Sequence, residues 1–198
     1  MRICLFGGTF DPIHNAHLQI AAEALKTFVL DQVLFVPAAN PPHKDPTVLT
    51  PYEDRFQMVE IACAPYPDFA ASRLEEGEKP SYTVDTLNRM RDKLAPGDQM
   101  FFLIGSDAFD ELETWKSWET VVKLTEFIVV SRPGGRYRVP RNARIYRMDH
   151  LNFPVSSSSI RARLAAGEPT PELPPAVRQF IEERGLYGSG RRKAIFSQ

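Results

Sequence analysis

Two hydrophobic patterns alternate along the chain. Short continuous apolar runs predict buried strands at Ile3 to Phe6, Gln32 to Val36, Phe69 to Ser72, Met100 to Ile104, Phe127 to Val130 and Ile145 to Met148. Between these runs, apolar residues recur every three or four positions, which is typical of helices with one buried face. We therefore expect strands and helices to alternate from one end of the chain to the other.

Several of the predicted helices carry end signals. The helix after the first strand has an apolar face from Leu18 to Leu25. In the second, Thr50 is expected as the N-cap, with Pro51 at the first helical position and Glu53 completing a capping box. Further helices are predicted from Thr83 to Leu94, Ser157 to Ala166 and Pro175 to Arg184, the last ending at Gly185 in the left-handed conformation.

Buried strands that alternate with helices indicate an α/β fold, here a Rossmann-like, doubly wound parallel sheet with helices on both faces. Ligands of such folds bind beyond the carboxyl ends of the strands. A chain of 198 residues suits one domain. We assign it to residues 1–187, with a C-terminal helical part at about 157–187, and expect residues 188–198 to form a flexible tail.

Composition narrows the class of protein. The formal net charge of −1 gives the whole chain no attraction to nucleic acid or to a membrane surface. The two cysteines are too few for a disulfide framework and lack metal-ligand spacing. No apolar run is long enough for a signal peptide or a bilayer span. The sequence predicts a soluble protein of a reducing cytoplasm, and it leaves the oligomeric state open, a homo-oligomer included.

The most informative segment follows the first strand and runs from Gly7 to His17. Gly7 and Gly8 would let the backbone approach a phosphate, and the free amides of the next helix start attract anions. His14 and His17 are three residues apart, so on a first helical turn they share one face. A tight turn with two solvated histidines is the alternative, but the combination favours an anion site.

Two other segments offer phosphate or ribose ligands. Ser157 and Ser158 lie at a predicted helix start, and Arg161 supplies a planar guanidinium suited to phosphate oxygens. Gly105 and Asp107 follow the strongest strand, where a small residue leaves room for a base and a carboxylate can accept a ribose hydroxyl. By themselves, a serine cluster is usually a helix cap and Asp107 could be one too.

Together these segments resemble the HxGH nucleotidyltransferase superfamily, and most closely its bacterial nicotinate mononucleotide adenylyltransferases. Gly-Gly-Thr-Phe-Asp-Pro-Ile-His matches the GTFDPxHxxH signature, Val155 to Arg161 resembles ISSTxIR, and Gly105 to Asp107 resembles G-[AS]-D. Ala16 departs from the pattern, since it stands in the glycine position of HxGH. The resemblance extends from Gly7 to the closing helix and implies transfer of AMP from ATP, with Mg²⁺, to nicotinate mononucleotide.

The resemblance also implies roles for single residues. His17, His14 and Arg161 would be catalytic. ATP would be bound by Gly7, Gly8, Thr9, Phe10, Gly105, Asp107, Ser157, Ser158 and Arg132. Nicotinate mononucleotide would be bound by His43 and Lys44 of a PPHK-like loop, by Tyr82, Thr83 and Thr86 of an SYTxDT-like segment, and by Trp115 of a tryptophan loop. Without the resemblance the PPHK segment is a surface turn, and the tryptophans are core; Trp118 is expected to be core in either case.

Three other functions compete with this one. Phosphopantetheine adenylyltransferases share the first motif, but they typically have TxGH and lack the SYTxDT and tryptophan segments. A non-catalytic nucleotide-sensing module would be favoured by loss of His17 or Arg161, and both are present. A fragment of a class I aminoacyl-tRNA synthetase would need a lysine-rich loop, whereas Val155 to Arg161 contains no lysine.

Overall fold

The computed structural model describes residues 1–42, 48–77, 79–151 and 153–189. Six parallel strands form one sheet in the order β3-β2-β1-β4-β5-β6. The strands are β1 (Arg2–Gly8), β2 (Gln32–Pro37), β3 (Phe69–Ala71), β4 (Gln99–Gly105), β5 (Glu126–Val130) and β6 (Ile145–Met148). This is the strand order of doubly wound dinucleotide-binding folds, and it confirms the predicted fold class.

In the part of the chain that the structure describes, seven α-helices connect and cover the strands. They are α1 (Asn15–Thr27), α2 (Tyr52–Cys63), α3 (Thr83–Arg91), α4 (Ser106–Asp110), α5 (Trp118–Leu124), α6 (Ser157–Ala166) and α7 (Pro175–Arg184). Short 3₁₀ helices occupy Leu112–Thr114 and Leu186–Gly188. Helices α6 and α7 have the predicted bounds, and Gly185 ends α7 with a φ of 63° as expected.

Alternate residues of each strand face two separate cores because successive side chains point to opposite sides of a sheet. In β1, Cys4 and Phe6 pack with α1, α2, α6 and α7, whereas Ile3 and Leu5 pack with α3, α4 and α5. Both faces of the sheet are therefore covered. This explains why the strands appear in the sequence as continuous apolar runs rather than as alternating patterns.

The start of α2 differs from the prediction by one residue. Pro51 is the N-cap and Tyr52 the first helical residue, so Thr50 is not the cap and Pro51 is not at the first helical position. Glu53 makes no capping box. Its carboxylate instead binds Arg73 at 2.7 and 3.0 Å, because a partner from the loop after β3 competes with the local backbone.

Two helix ends contrast in their choice of residue. The turn after α1 places Val29, 75% exposed, in the left-handed region with a φ of 48°. A β-branched side chain is strained there, whereas the glycines that follow α6 and α7 are not.

Beyond α7, the Ser189 hydroxyl donates to the carbonyl of Ile181 at 3.2 Å, so the described chain is held through this residue. Of the predicted tail, residues 190–198 lie outside the described part.

The sheet order places the site. From β1 the chain crosses to β2 on one side, and from β4 it crosses to β5 on the other, so the two connections leave in opposite directions. A crevice opens at this reversal, beyond the carboxyl ends of β1 and β4. Gly8 ends β1 and Gly105 ends β4, so the structure brings the two glycine segments singled out in the sequence to this edge of the sheet.

Candidate active site

The loop after β1 is packed from beneath by aromatic rings. A Cβ atom at Gly8 would lie 3.0 Å from the Phe10 ring, and one at Gly7 would lie 3.2 Å from Phe102. Phe10 is 3% exposed, so its side chain belongs to the core. Any contact of Phe10 with a nucleotide must therefore involve its backbone. Gly7 and Gly8 end β1, and because they carry no side chain these rings can pack directly against its backbone.

His14 and His17 lie at the start of α1 with their rings stacked, 3.7 Å between centroids and 24° between planes. His14 is the N-cap rather than a residue of the first turn, and His17 is three positions further on. The backbone N–H of His14 donates to Nδ1 of His17 at 3.2 Å. The Phe10 and His17 rings meet nearly at right angles, with 5.1 Å between their centroids. The shared face predicted for the two histidines is present, with one ring lying over the other.

Burial keeps both imidazoles neutral near pH 7. Desolvation lowers the pKa of His14 to about 4 against the opposing effect of Glu172. Desolvation, with a smaller contribution from His14, holds the pKa of His17 well below its ordinary value. Because Nδ1 of His17 accepts a hydrogen bond, the proton of neutral His17 is assigned to Nε2. His17 can therefore donate a hydrogen bond from Nε2 without carrying a charge.

Helix α6 brings the serine and arginine segment to the same loop. Nη1 of Arg161 donates to the carbonyl of Asp11 at 2.7 Å, and the Ser157 hydroxyl donates to the carbonyl of Pro12 at 3.0 Å. Nη2 of Arg161 donates to the hydroxyl of the exposed Ser158 at 3.3 Å. Ser156 caps the helix in a capping box with Ser159. The segment at residues 157–161 thus lies against the loop after β1, more than 140 residues away in sequence.

A buried polar cluster, which sequence reasoning missed, braces this loop. Arg55 is 1% exposed and donates to the carbonyls of Thr9 at 2.7 Å, Thr50 at 2.8 Å and Ala39 at 3.4 Å. Asp11 is 2% exposed and accepts from the Tyr187 hydroxyl at 2.5 Å and from the Thr50 amide at 3.3 Å. Their opposite charges stabilise each other. The sequence did contain a signal that Arg55 is buried. Arg55 lies on the apolar face of α2, at helical spacing from two buried residues, Val59 and Ala62.

Beyond the carboxyl ends of β4 and β5 lies a cleft of about 380 Å³. Its lining includes Gly105, Asp107, Arg132, Ile20, Leu151 and Phe153. Gly105 is the N-cap of α4, and a Cβ atom there would meet nothing within 4 Å. Asp107 and Arg132 are exposed. The structure therefore brings three of the predicted ATP ligands to one cleft beyond β4 and β5.

A cavity of about 480 Å³ lies beyond α3 and the loop after α4. Tyr82, Thr83, Trp115 and Lys116 line it. Trp115 is half-buried and meets Phe102 edge-on with 6.5 Å between ring centroids. Lys116 places Nζ 4.2 Å from the centre of the Tyr82 ring and 3.4 Å from Asp85. Trp118 is also half-buried and packs against the second core, so it is less enclosed than expected.

Two groups of predicted residues do not join these cavities. The Thr86 side chain is buried, and its hydroxyl donates to Glu75 at 2.6 Å. It lines a neighbouring cavity of about 400 Å³ instead. His43 and Lys44 lie outside the described residues.

Two further features are absent from the described ranges. No three His, Cys, Asp or Glu side chains in these ranges are grouped to hold a metal ion. No helix in the described part of the chain has the length and hydrophobicity to cross a membrane.

Comparison with known proteins agrees with this geometry. Residues 5–163 match the cytidylyltransferase-like family model. A probable nicotinate-nucleotide adenylyltransferase of Solibacter usitatus (strain Ellin6076) is 50% identical, over 94% of this chain and all of the relative. A protein of the same description from Exiguobacterium sibiricum is 44% identical, over 96% of this chain and all of the relative.

Solved structures give the same fold. The Plasmodium falciparum nicotinic acid mononucleotide adenylyltransferase complexed with NaAD superposes with a TM-score of 0.78 at 22% identity, covering 94% of this chain and 97% of that one. A putative nicotinate-nucleotide adenylyltransferase from Vibrio parahaemolyticus gives a TM-score of 0.67 at 20% identity, with 94% of each chain covered. From its sequence relatives, this chain belongs to the cytidylyltransferase-like family and, within it, to the nicotinate-nucleotide adenylyltransferases.

Proposed function

We propose that this protein transfers AMP from ATP to nicotinate mononucleotide, giving nicotinate adenine dinucleotide and pyrophosphate for NAD biosynthesis. The observation that carries the proposal is the stacked histidine pair at the start of α1, with Arg161 beside the same loop. One cleft opens on the side of β4 and β5, and a second cavity opens beyond α3. Two substrates with phosphates meeting at the histidines would fit this arrangement.

The chemistry asks little of the protein beyond positioning. A phosphomonoester has a second pKa near ~6, so the attacking phosphate of the acceptor is already largely dianionic at pH 7. It needs no general base. The barrier comes from repulsion between anions and from charge that develops on the α-phosphoryl group and on departing pyrophosphate. Fixed hydrogen-bond donors aimed at those oxygens lower it.

His17 is proposed as the donor to the α-phosphoryl group. Its Nδ1 is occupied by the His14 amide, which orients the ring and leaves the proton on Nε2. A donor held in this way needs no rearrangement as charge develops, which is where preorganised donors are most effective. His14 and Arg161 are proposed to bind the β- and γ-phosphates, with the amides of Gly7, Gly8, Thr9 and Phe10 completing the cradle.

The two cavities suggest where the rest of each substrate binds. We assign the adenosine to the cleft with Gly105, Asp107 and Arg132, and place Ser157 and Ser158 near the phosphates. The nicotinate ring is assigned to Trp115, with Tyr82 and the free amides at Thr83 near its carboxylate. His43 and Lys44 are proposed to approach the acceptor phosphate. Since its hydroxyl is bound to Glu75, Thr86 would act by shaping the start of α3.

Magnesium is proposed to enter with ATP as part of the substrate. It prefers phosphate and water oxygens, and the described residues offer it no cluster of side chains. Bound to the triphosphate, it would reduce the charge that the histidines and Arg161 must neutralise. We propose that the protein acts in the cytoplasm, where the free and buried Cys4 and Cys63 would remain reduced.

The test is pyrophosphate release by the purified protein with ATP and magnesium. Nicotinate mononucleotide, nicotinamide mononucleotide and phosphopantetheine serve as alternative acceptors, and the His17→Ala protein is assayed beside the wild type. We expect rapid release with the nicotinate acid and its loss in the variant. Turnover confined to another acceptor would overturn the substrate assignment, and no turnover with any of the three would overturn the proposed activity.

A further inference from the structure

Glu172, in the segment between α6 and α7, packs against the first residues of α1. Its carbonyl accepts the Asn15 amide at 2.8 Å, and the Asn15 side chain reaches the carbonyl of Pro171 at 3.3 Å. On its carboxylate, Oε1 binds Nη2 of Arg163 at 2.8 Å. Glu172 is therefore held by its backbone carbonyl and by one carboxylate oxygen. These contacts keep it next to His14, the residue before Asn15.

Two side-chain atoms in this region are buried without a hydrogen-bond partner among the described residues: Nδ1 of His14 and Oε2 of Glu172. His14 as a whole is 5% exposed. A buried polar atom with no partner costs about 1–3 kcal/mol, so a state that satisfies both atoms has an advantage. Nδ1 becomes a donor when it carries a proton, and a carboxylate oxygen accepts one.

The charged and titratable groups around His14 differ in whether they favour its protonated or its neutral form. The stacked ring of His17 opposes a positive charge on His14, and the carboxylate of Glu172 favours one. Arg163 is bound to that carboxylate, and Arg161 is bound to the Asp11 carbonyl in the same loop. In the free protein desolvation prevails and His14 is neutral. A triphosphate at this loop would add several negative charges, which favour the imidazolium.

The two stacked histidines cannot both gain a proton when the triphosphate binds. Nδ1 of His17 accepts the His14 backbone N–H, so protonating that nitrogen would break the bond that orients the ring. In the capping box of α1 the His14 side chain faces the backbone N–H of His17, but that N–H donates to the His14 carbonyl at 2.9 Å, and Nδ1 of His14 has no hydrogen-bond partner among the described residues. Two imidazolium rings at 3.7 Å would also repel each other strongly, so one proton is the most that the pair can take.

We propose that Glu172 is a positioning residue for His14, whose carboxylate receives the Nδ1–H of His14 so that this residue binds the triphosphate as an imidazolium. One proton is then taken from solvent onto His14 as the triphosphate binds. Nε2–H of His14 points to the phosphates while His17 stays neutral. The inference rests on the proposed function for its ligand, because it requires a triphosphate at this loop.

The direct measurement is the pKa of each histidine, from the carbon and proton shifts of labelled imidazoles in an NMR titration. The chain has four histidines, so the signals can be assigned with single substitutions. The probe is the α,β-methylene analogue of ATP with magnesium. In the wild type we expect the His14 pKa to rise on binding from about 4 to above its ordinary value of 6.5, because several phosphate charges and a carboxylate favour the imidazolium, while His17 does not titrate near neutral pH.

The decisive variant is Glu172→Gln, which keeps the size and an acceptor oxygen but removes the charge. We expect most of the rise in the His14 pKa to disappear. Binding then takes up little proton, so analogue affinity should be lower than in the wild type at pH 6 and should change less with pH between 6 and 8. Glu182→Gln is the matched control, because Glu182 also pairs with an arginine, at 3.0 Å, but on α7 and outside the charges that act on His14. It should behave as the wild type does.

Several outcomes overturn the proposal. One is a wild-type protein whose His14 pKa stays below its ordinary value when the analogue is bound. Another is a rise in the His14 pKa of the same size in Glu172→Gln as in the wild type. The wild-type titration alone decides the matter if the variant does not fold. Pyrophosphate release by the wild type is measured in parallel. Turnover with no protonation of His14 would overturn this inference and leave the proposed function standing.

Discussion

On the side of the histidines, the polar residues that brace the site are almost withdrawn from solvent, while His17 and Arg161 themselves are half-buried. The residues around the acceptor cavity are half-buried or exposed. We call the first set the nucleotide half (residues 7–17 with Arg55 and Arg161) and the second the acceptor half (Tyr82, Thr83, Trp115 and Lys116). Arg55, Asp11 and His14 are 1%, 2% and 5% exposed. Lys116 is exposed, and Tyr82 and Trp115 are half-buried.

The difference separates two ways of building a site. In the nucleotide half, the groups that would act on phosphate are held by the same buried contacts that hold the fold, so chemistry and stability are coupled. In the acceptor half, few bonds fix the lining, so a substitution should change binding and leave the fold intact. The following changes test that separation, beginning with the largest expected effect.

Replacing Arg55 by Met should have the largest effect on stability. It leaves three carbonyls without their donor and removes a positive charge that Asp11 stabilises. Each buried polar group left without a partner costs about 1–3 kcal/mol. Urea unfolding followed by circular dichroism would measure the loss. Arg73→Met is the matched control, since it removes an exposed arginine that packs on the same helix, and it should change the midpoint little. Equal losses in the two variants would contradict the coupling.

His17→Ala should lower kcat by a factor on the order of 10²–10³, as expected for one preorganised donor. KM for either substrate should change much less, because the interaction strengthens as charge develops. Steady-state pyrophosphate release gives both constants. His17→Gln retains an N–H donor and should recover part of the rate. A loss below tenfold in the alanine variant would count against the role of His17.

Trp115→Ala should act on binding. Stacking of a flat ring on an aromatic side chain is worth about 1–3 kcal/mol, so KM for nicotinate mononucleotide should rise on the order of tenfold. KM for ATP and the unfolding midpoint should remain near the wild-type values. Trp118→Ala is the comparison, because this ring packs against the core beside the same loop. It should lose stability with little change in KM. The reverse result would exchange the roles of the two tryptophans.

Acid should weaken the nucleotide half first. The pKa of His14 is lowered to about 4 in the folded protein, so the unfolded chain binds more protons between the ordinary value of 6.5 and 4. Stability from this group is complete above 6.5 and is lost as pH falls through that window, by up to about 1.4 kcal/mol per pH unit. Urea midpoints at several pH values would show the slope. His14→Gln should reduce the slope, while His17, whose pKa is also lowered by burial, still contributes to it. An unchanged slope would contradict the assignment.

The smallest effect is expected at the far end of the helix that begins with the histidines. Val29→Gly should stabilise the protein by about 1 kcal/mol, because glycine adopts the left-handed conformation without strain. The kinetic constants should not change. A change in kcat would mean that the histidines sense the stability of α1 as a whole, and the nucleotide half would then extend further than its buried contacts suggest.

Most of the fold was readable from the sequence, since all six strands lie where continuous apolar runs predicted them. The order of the strands was not, because nothing local in β1 records that its neighbours are β2 and β4. The same limit applies to the site. Gly7 to His17 is a local signal, whereas the contact of Tyr187 with Asp11 joins residues far apart in sequence.

Errors in the prediction have physical causes. The cap of α2 was misplaced by one residue because Glu53 has a better partner in Arg73 than the helix start. The bond of the Thr86 hydroxyl to Glu75 was also not foreseen, because only the packed structure creates that pairing, and the assignment of Thr86 to the substrate site stays a prediction. Arg55 was overlooked because arginine is mostly found at the surface, although it lies on the apolar face of its helix.

The hydrogen bond between Tyr187 and Asp11 spans 176 residues, and this separation has a consequence for biosynthesis. Chains emerge from the ribosome N-terminus first, at about 5–20 residues per second. The loop after β1 is therefore made 176 residues before the hydroxyl that satisfies its buried carboxylate, which is a wait of about 9–35 s. A nascent chain can form β1 and α1 early, yet the loop between them acquires this bond only after α7 has been synthesised.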